Sequence, residues 1–222
     1  MNRFEVMIKG ETPLLMHNDN LVWDGIMKAW GKDPANKAGS VAGDDRSPGF
    51  RWIGYLYQHA GNVVMPSDNL MTVLREGGAK CPTGKGQKTY KSQTQSGLLV
   101  DQENWPLFNP VTGEVYALGG MSDIEQETDY AIHEMWAQER GFELFAKRAK
   151  VGQAKHVRVR PRFDSWAATG TITVLDDAIT ADVLKNIWTY AGAYSGLCDW
   201  RPSSPRSPGS FGRFSVEMKK AK

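Results

Sequence analysis

"KHVRVRPRFDSWAATGTITVLDDAITADVLKNIWTYAG", Lys155–Gly192, carries two strand patterns and a helix pattern in succession. Over Lys155–Phe163, Val157, Val159 and Phe163 fall on one side of an extended chain. His156, Arg158, Arg160 and Arg162 fall on the other. Pro161 has no N–H for a ladder, which predicts an edge position or a strand end there. "GTITVL", Gly170–Leu175, reads as a second strand. Thr180 then caps a helix with Val183, Leu184, Ile187, Trp188 and Ala191 at helical spacing, ending near Gly192.

Working outward, Phe4, Val6 and Ile8 alternate with Arg3, Glu5 and Lys9, which predicts a half-buried first strand. A helix is expected after Pro66, with Ser67 as N-cap, Leu70, Val73 and Leu74 as its core stripe, and Gly77-Gly78 as its end. Phe214–Met218 alternates as a last strand. With the remaining segments set aside, the order is βαββαβ, an α+β ferredoxin-like or RRM-like core with helices on one face of an antiparallel sheet. The expected organisation is a single domain over 1–222 with three insertions, 10–49, 79–97 and 101–142. Within them, Trp23–Trp30 reads as a short helix. Lys80–Gly97 reads as a mobile basic loop. Ser122–Glu125, "SDIE", reads as a capping box opening a helix to Arg140 with an Ile132, Met135, Trp136 stripe. Phe50–Tyr57 and Asn62–Met65 read as a hairpin.

The chain has 222 residues and a net charge of only +2, but its charge is segregated. Residues 79–100, 144–163 and 200–216 contain no acid, while acids crowd between Asp123 and Glu139. Acid-free basic runs can create a strong local field although the sum is near zero, which suits a polyanionic partner. No apolar run reaches the roughly 18 residues of a membrane span, and Met1–Phe4 does not open a signal peptide, so a cytoplasmic protein with no membrane partner is expected. Cys81 and Cys198 read as reduced thiols.

Motifs that would supply other chemistry fail on spacing. "GKGQKT", Gly84–Thr89, lacks the Walker glycine, since Ala79 holds its place and Gly86 follows Lys85. His17, His59, His133 and His156 have no metal-ligand spacing among themselves or with the cysteines. No cofactor and no metal are expected. Asp44-Asp45 and Asp176-Asp177 read as turn acids.

Three stretches resemble one superfamily. "NVVMPSDNLMTVLR", Asn62–Arg75, is similar to the strand–Pro–Ser–Leu–helix–Arg segment of the RAMP proteins that form the guide-RNA backbone of CRISPR effectors. "GLCDWRPSSPRSPGSFGRF", Gly196–Phe214, looks like their C-terminal Gly-rich loop, and "TPLLMH", Thr12–His17, sits where such proteins open. The same ends resemble small phage and prophage proteins. Asp68 stands where the superfamily has a small residue, and prolines dilute the loop glycines. In the RNA-cleaving members an acid in the insertion before the helix cuts RNA; Asp44 or Asp45 lies in that insertion, but no adjacent residue fixes the alignment, so catalysis is not carried over.

The resemblance and the charge together imply a non-catalytic protein that binds single-stranded nucleic acid, RNA before DNA, and lines up in copies along it as a backbone subunit beside other effector subunits. The expected contacts are Lys85, Lys88, Tyr90 and Lys91; His156, Arg158, Arg160 and Arg162 on an open strand face; Arg201, Arg206 and Arg213 in the last loop; and His17 and Ser67. A phage single-stranded-DNA-binding protein is a close variant. The other alternative is a metal-independent endoribonuclease using His17 or His156.

Overall fold

The computed structural model describes residues 2–205 and 208–221. The strands are β1 (Asn2–Gly10), β2 (Leu14–Leu15), β3 (Gln58–His59), β4 (Asn62–Pro66), β5 (Leu98–Val100), β6 (Asn104–Phe108), β7 (Glu143–Val151), β8 (Ala154–Phe163), β9 (Ala167–Val174) and β10 (Phe214–Lys220). The helices are α1 (Leu21–Lys32), α2 (Ser67–Lys80), α3 (Lys91–Ser96), α4 (Tyr130–Glu139) and α5 (Ala181–Tyr190). The protein is mixed α+β, and the chain divides into two compact units. One comprises the residues up to Leu15, Asn62–Tyr116 and the chain from Asp164 onward; the other comprises Met16–Gly61 and Ala117–Phe163. Among the described residues no helix is long and apolar enough to cross a membrane.

The first unit is built on an antiparallel sheet in the order β10-β1-β9-β6-β4, with β5 also paired to β9. Phe4, Val6 and Ile8 point inward from β1 as their alternation predicts, opposite Ile172, Gly170 and Ala168 of β9. Gly170 is required by the packing, because a Cβ there would meet Trp105 at 2.0 Å. Over this face lie α2, through Leu70, Val73 and Leu74, and α5, through Leu184, Ile187 and Trp188. Thr180 caps α5, its Oγ1 accepting from the Val183 N–H at 3.3 Å.

Two details of α2 depart from expectation. Pro66 is its N-cap, and Ser67 is the first helical residue with no side-chain capping bond. Gly77 and Gly78 lie inside the helix, not at its end. A Cβ on Gly77 would stand 2.5 Å from the Ile187 carbonyl oxygen, so this glycine serves the close approach of α2 and α5.

The second unit contains the hairpin β7–β8, α1, α4 and a buried 3-10 segment, Gly49–Tyr55. Here the hairpin that the βαββαβ order implies between Lys155–Phe163 and Gly170–Leu175 is corrected. The strand forms, but it pairs along its whole length with β7, Glu143 opposite Arg162 through Val151 opposite Ala154. The expected strand at Phe50–Tyr57 is the 3-10 segment instead, because Phe50, Trp52, Ile53 and Leu56 are all buried and that spacing is not a period of two. The expected helix from Asp123 begins only at Tyr130, capped by Asp129, whose Oδ1 accepts from the Ala131 N–H at 2.9 Å. Its buried face is His133, Trp136 and Ala137; Ile132 and Met135 are exposed. Trp52 centres an aromatic core, 6.0 Å from Trp136 and 5.8 Å from Phe142, which stacks on Phe163 at 5.1 Å.

Candidate nucleic-acid interface

The β7–β8 hairpin changes character along its length. At roughly 3.4 Å per residue it is about 30 Å long. Its base is core: Leu144, Val159, Arg160, Pro161 and Phe163 are buried. Ala146, Lys147, Arg148 and Lys150 on one strand and Ala154 and Lys155 on the other are exposed, and Ala149 is half-buried. The outer part carries Lys147, Arg148, Lys150 and Lys155, and no acid. The register sets Lys147 directly opposite Arg158 and Lys150 directly opposite Lys155. Among the described residues Arg148, Lys150 and Lys155 pair with no carboxylate. Like charges opposite one another destabilise a ladder, and a two-stranded ribbon is marginal alone. A polyanion alongside would relieve the repulsion between Lys150 and Lys155.

At the base the expectation of an open arginine face is corrected. His156, Arg158, Arg160 and Arg162 do share a face, since their partners Ala149, Lys147, Phe145 and Glu143 alternate on β7. That face is covered. Residues 43–45 run beside β8, the Val157 N–H donating to the Gly43 carbonyl at 2.8 Å and the Asp45 N–H to the Val157 carbonyl at 3.0 Å. This places the Asp45 carboxylate, 1% exposed, among the guanidiniums. It accepts from Arg158 at 2.9 Å, from Arg160 at 3.4 Å, from the Val159 N–H at 3.3 Å and from the Tyr55 hydroxyl at 3.3 Å. Arg160, 6% exposed, stacks over the Tyr55 ring at 4.5 Å and donates to its neighbour's carbonyl, that of Val159, at 2.8 Å. Arg162 pairs with Glu143 at 3.5 Å and lies 5.5 Å from the Phe145 ring. His156 packs against Gly43. The row is an internal ion-pair network in which Asp45 and Glu143 supply carboxylates.

His17 joins the edge of this network. A guanidinium only donates, so the long 3.5 Å contact from Arg160 makes His17 Nδ1 the acceptor, and the ring stands edge-on to Tyr55 at 5.0 Å. Neither acid of the Asp44-Asp45 pair is free for chemistry. Asp44 is held by Arg46 at 2.6 Å, and that hydrogen bond keeps its carboxyl below the usual range.

The last loop is also packed, not open. The Leu197 N–H donates to Gly212, the Gly209 N–H to Arg201 and the Phe211 N–H to Trp200, while the Asp199 N–H donates to Leu15 and the Gly212 N–H to Pro13, so these backbone donors are already used within the unit. Cys198 and Trp200 sit at positive φ, 64° and 47°. Arg201 meets Glu76 at 3.3 Å, an acid that Ser203 also binds, at 2.7 Å. Arg213 donates to the Ala193 carbonyl. Trp200 is half-buried, 6.3 Å from Phe211, and Phe214 is core. Arg206 lies outside the described residues.

In the same first unit as this loop, Lys85, Lys88 and Lys91 are exposed, while Tyr90 is half-buried. The segment read as a mobile loop is closed by bonds from the Thr83 N–H to Lys88 and from the Tyr90 N–H to Cys81, and α3 follows. Lys88 and Lys91 line a shallow polar cleft with Thr83, Gln87, Thr89 and Gln93. Among the described residues these three lysines form no ion pair. The open face of the first unit's sheet is a poor polyanion surface by comparison. A groove there is lined by Glu5, Met7, Thr169, Thr171 and Glu217, with Glu5 paired to Lys219 at 2.9 Å. It offers carboxylates and no ring on which a base could stack. Ser67 contributes a backbone N–H to the Glu103 carbonyl at 2.7 Å. Among the described residues no three His, Cys, Asp or Glu side chains are grouped to hold a metal ion.

The arginine face expected to be open on β8 is thus covered, and the exposed cations of this hairpin lie toward its turn. Lys147, Arg148, Lys150 and Lys155 flank Gly152-Gln153, a turn between two basic runs, and that turn was the available sign of a projecting ribbon. No protein-family model and no curated protein matches the chain.

Proposed function

We propose that the protein binds single-stranded nucleic acid through its phosphate backbone and does not cleave it. The observation that carries this reading is the acid-free outer half of the β7–β8 hairpin, four cations on a ribbon exposed on both faces. Lysine and arginine on such a ribbon read charge and spacing, not base identity. The exposed Lys85, Lys88 and Lys91 are a second contact surface of the same kind. Non-cleavage is supported by the engagement of Asp44 and Asp45 with arginines. The strand order β10-β1-β9-β6 supports a ferredoxin-like reading of the first unit. A place as a backbone subunit of a CRISPR-like ribonucleoprotein is the narrower form of the proposal and rests on the resemblance of Asn62–Arg75 and Gly196–Phe214. RNA is for that reason the first ligand to test, with DNA of the same sequence beside it.

The test is fluorescence anisotropy of labelled single-stranded oligonucleotides across a salt series. Each phosphate contact contributes about −0.7 to the slope of log affinity against log salt. Replacing Lys147, Arg148, Lys150 and Lys155 by alanine is expected to flatten that slope by up to roughly 3, equally for all sequences. The oligonucleotide is expected to be recovered at full length. An unchanged slope removes the ribbon from the interface, and shortened products overturn the non-catalytic reading.

A further inference from the structure

Strand β10 ends the first unit's sheet: β1 lies on one side of it, and among the described residues no strand lies on the other. Its register with β1 runs unbroken from Phe214 opposite Gly10 to Lys220 opposite Phe4, with no bulge and no proline. In an antiparallel pair alternate residues turn their N–H and C=O toward the partner. The Ala221 N–H donates to the Arg3 carbonyl and the Glu11 N–H to the Arg213 carbonyl, so the odd-numbered residues of β10 serve β1. The even-numbered ones, Phe214, Val216, Met218 and Lys220, turn theirs outward. Phe214 is covered there, because Gly192 packs on its carbonyl. Among the described residues no backbone hydrogen bond from another element reaches Val216, Met218 or Lys220. A flat run of unmet donors and acceptors is a template for a further strand.

We infer that this edge takes the same edge of a second copy, antiparallel, with the two-fold axis at Met218. In that register Met218 faces the second copy's Met218 and Val216 faces its Lys220, each facing pair exchanging both N–H···O bonds, so every open group is used. An axis at Glu217 or at Lys219 would set like charges face to face, and an axis at Val216 would need the covered carbonyl of Phe214. With the axis at Met218, Glu217 stands opposite the second copy's Lys219, and the reverse. Within its own sheet Glu217 stands opposite Met7, and among the described residues it pairs with no cation. Lys219 is held by Glu5 at 2.9 Å, but an ammonium has three donors and keeps that carboxylate while taking a second. On the opposite face, which β10 shares with Phe4, Val6 and Ile8, the two Met218 side chains meet. A cleft of about 440 Å³ lined by Phe4, Ile179, Lys185 and Met218 gives the second methionine room. Strand addition draws its affinity from main-chain hydrogen bonds more than from apolar area. The contact is isologous and closes on itself, so it makes pairs and not a filament.

The test uses the full chain without nucleic acid, so its outcome is independent of the function proposed above. In sedimentation the wild-type chain is expected to gain mass with concentration. Glu217→Lys sets lysine against Lys219 across the axis, and Lys219→Glu sets glutamate against Glu217, so each variant alone is expected to remain monomeric. An equal mixture of E217K and K219E puts acid opposite base at both places and is expected to pair again, which variants that had merely lost their fold would not do. Met218→Cys tests the register. Facing residues of a hydrogen-bonded pair lie about 5.5 Å apart at Cα, within reach of a disulfide. Ser215→Cys, exposed on the same strand, stands roughly 20 Å from its own copy in this register, at about 3.4 Å per residue. Mild oxidation is expected to give several-fold more covalent dimer of M218C than of S215C. A wild-type chain that is monomeric at every concentration overturns the inference. So does E217K that pairs as the wild type does, a mixture that stays monomeric, or equal cross-linking of M218C and S215C.

Discussion

Replacing Asp45 by alanine should cost more stability than Arg158→Ala in the strand it packs against. The carboxylate is 1% exposed and carries four hydrogen bonds, two of them from guanidiniums. Its loss leaves the Arg160 guanidinium, whose side chain is 7% exposed, without its buried counter-charge. Removing one partner of a buried pair typically costs about 3–5 kcal/mol, because the other charge stays desolvated. For a chain of this size 1 kcal/mol is about 2–4 °C in Tm, so the expected fall is on the order of 6–20 °C. Arg158→Ala is a built-in comparison. Arg158 is 28% exposed, and Asp45 keeps Arg160 when it is gone, so the loss should be near the 1 kcal/mol scale of a partly solvated pair. The assay is thermal and urea unfolding of D45A, R158A, R160A and the D45A/R160A double variant. The double variant should be less destabilised than the sum of its singles, since the second change removes the stranded charge. If D45A unfolds within a degree or two of the parent, the carboxylate is not anchoring the arginines and the corrected reading of this face fails.

Alanine at Arg148, Lys150 and Lys155 should leave Tm within about 1 °C, since exposed unpaired charges away from packed features change stability little; calorimetry checks this. His133 is buried, and desolvation holds its pKa below the ordinary 6.5, only partly offset by its bond to the Glu127 carbonyl at 2.8 Å. Below about pH 6.5 the unfolded chain takes up a proton that the folded chain refuses, so stability should fall as pH drops from there toward the depressed pKa. Unfolding at pH 7.5 and 5.5 should show this, and His133→Gln should reduce the difference. Gly170→Ala drives a methyl into Trp105 and should cost about 1–3 kcal/mol in urea unfolding.

Much of the first unit was legible because its signals are local. The alternation of β1, the Thr180 cap and the stripe of α5 each depend on residues a few positions apart, and each stands as expected. What failed depends on distant partners. β8 was visible, but "ELFAKRAKV" of β7 has charges on both faces and no alternation to mark it as the partner. In α4 the helical period was read correctly and its phase was not: His133, a residue type usually left outside, is inside, and Met135 is outside. The face shared by Arg158, Arg160 and Arg162 followed from strand geometry. Its cover did not, since Asp45 lies more than a hundred residues earlier in the chain.

The same strand thus carries cations with opposite fates, and the dielectric around each explains the difference. Two unit charges about 6 Å apart repel by roughly 0.7 kcal/mol in water and by roughly 3 kcal/mol at an effective dielectric near 20. Lys150 opposite Lys155 is exposed, so the smaller figure applies, and salt screens it further. The hairpin can leave that pair bare because its base is fixed in the core by Leu144, Val159 and Phe163. Arg158 beside Arg160 is under cover, where the larger figure and the desolvation of Arg160 could not be left standing, and Asp45 answers both. Charge at the base is therefore committed to the fold and unavailable to a ligand without unfolding cost. Among the described residues Arg148, Lys150 and Lys155 at the tip pair with no carboxylate. A polyanion that meets the tip gains attraction without displacing an internal partner of Arg148, Lys150 or Lys155, which is the condition for reversible, salt-sensitive binding.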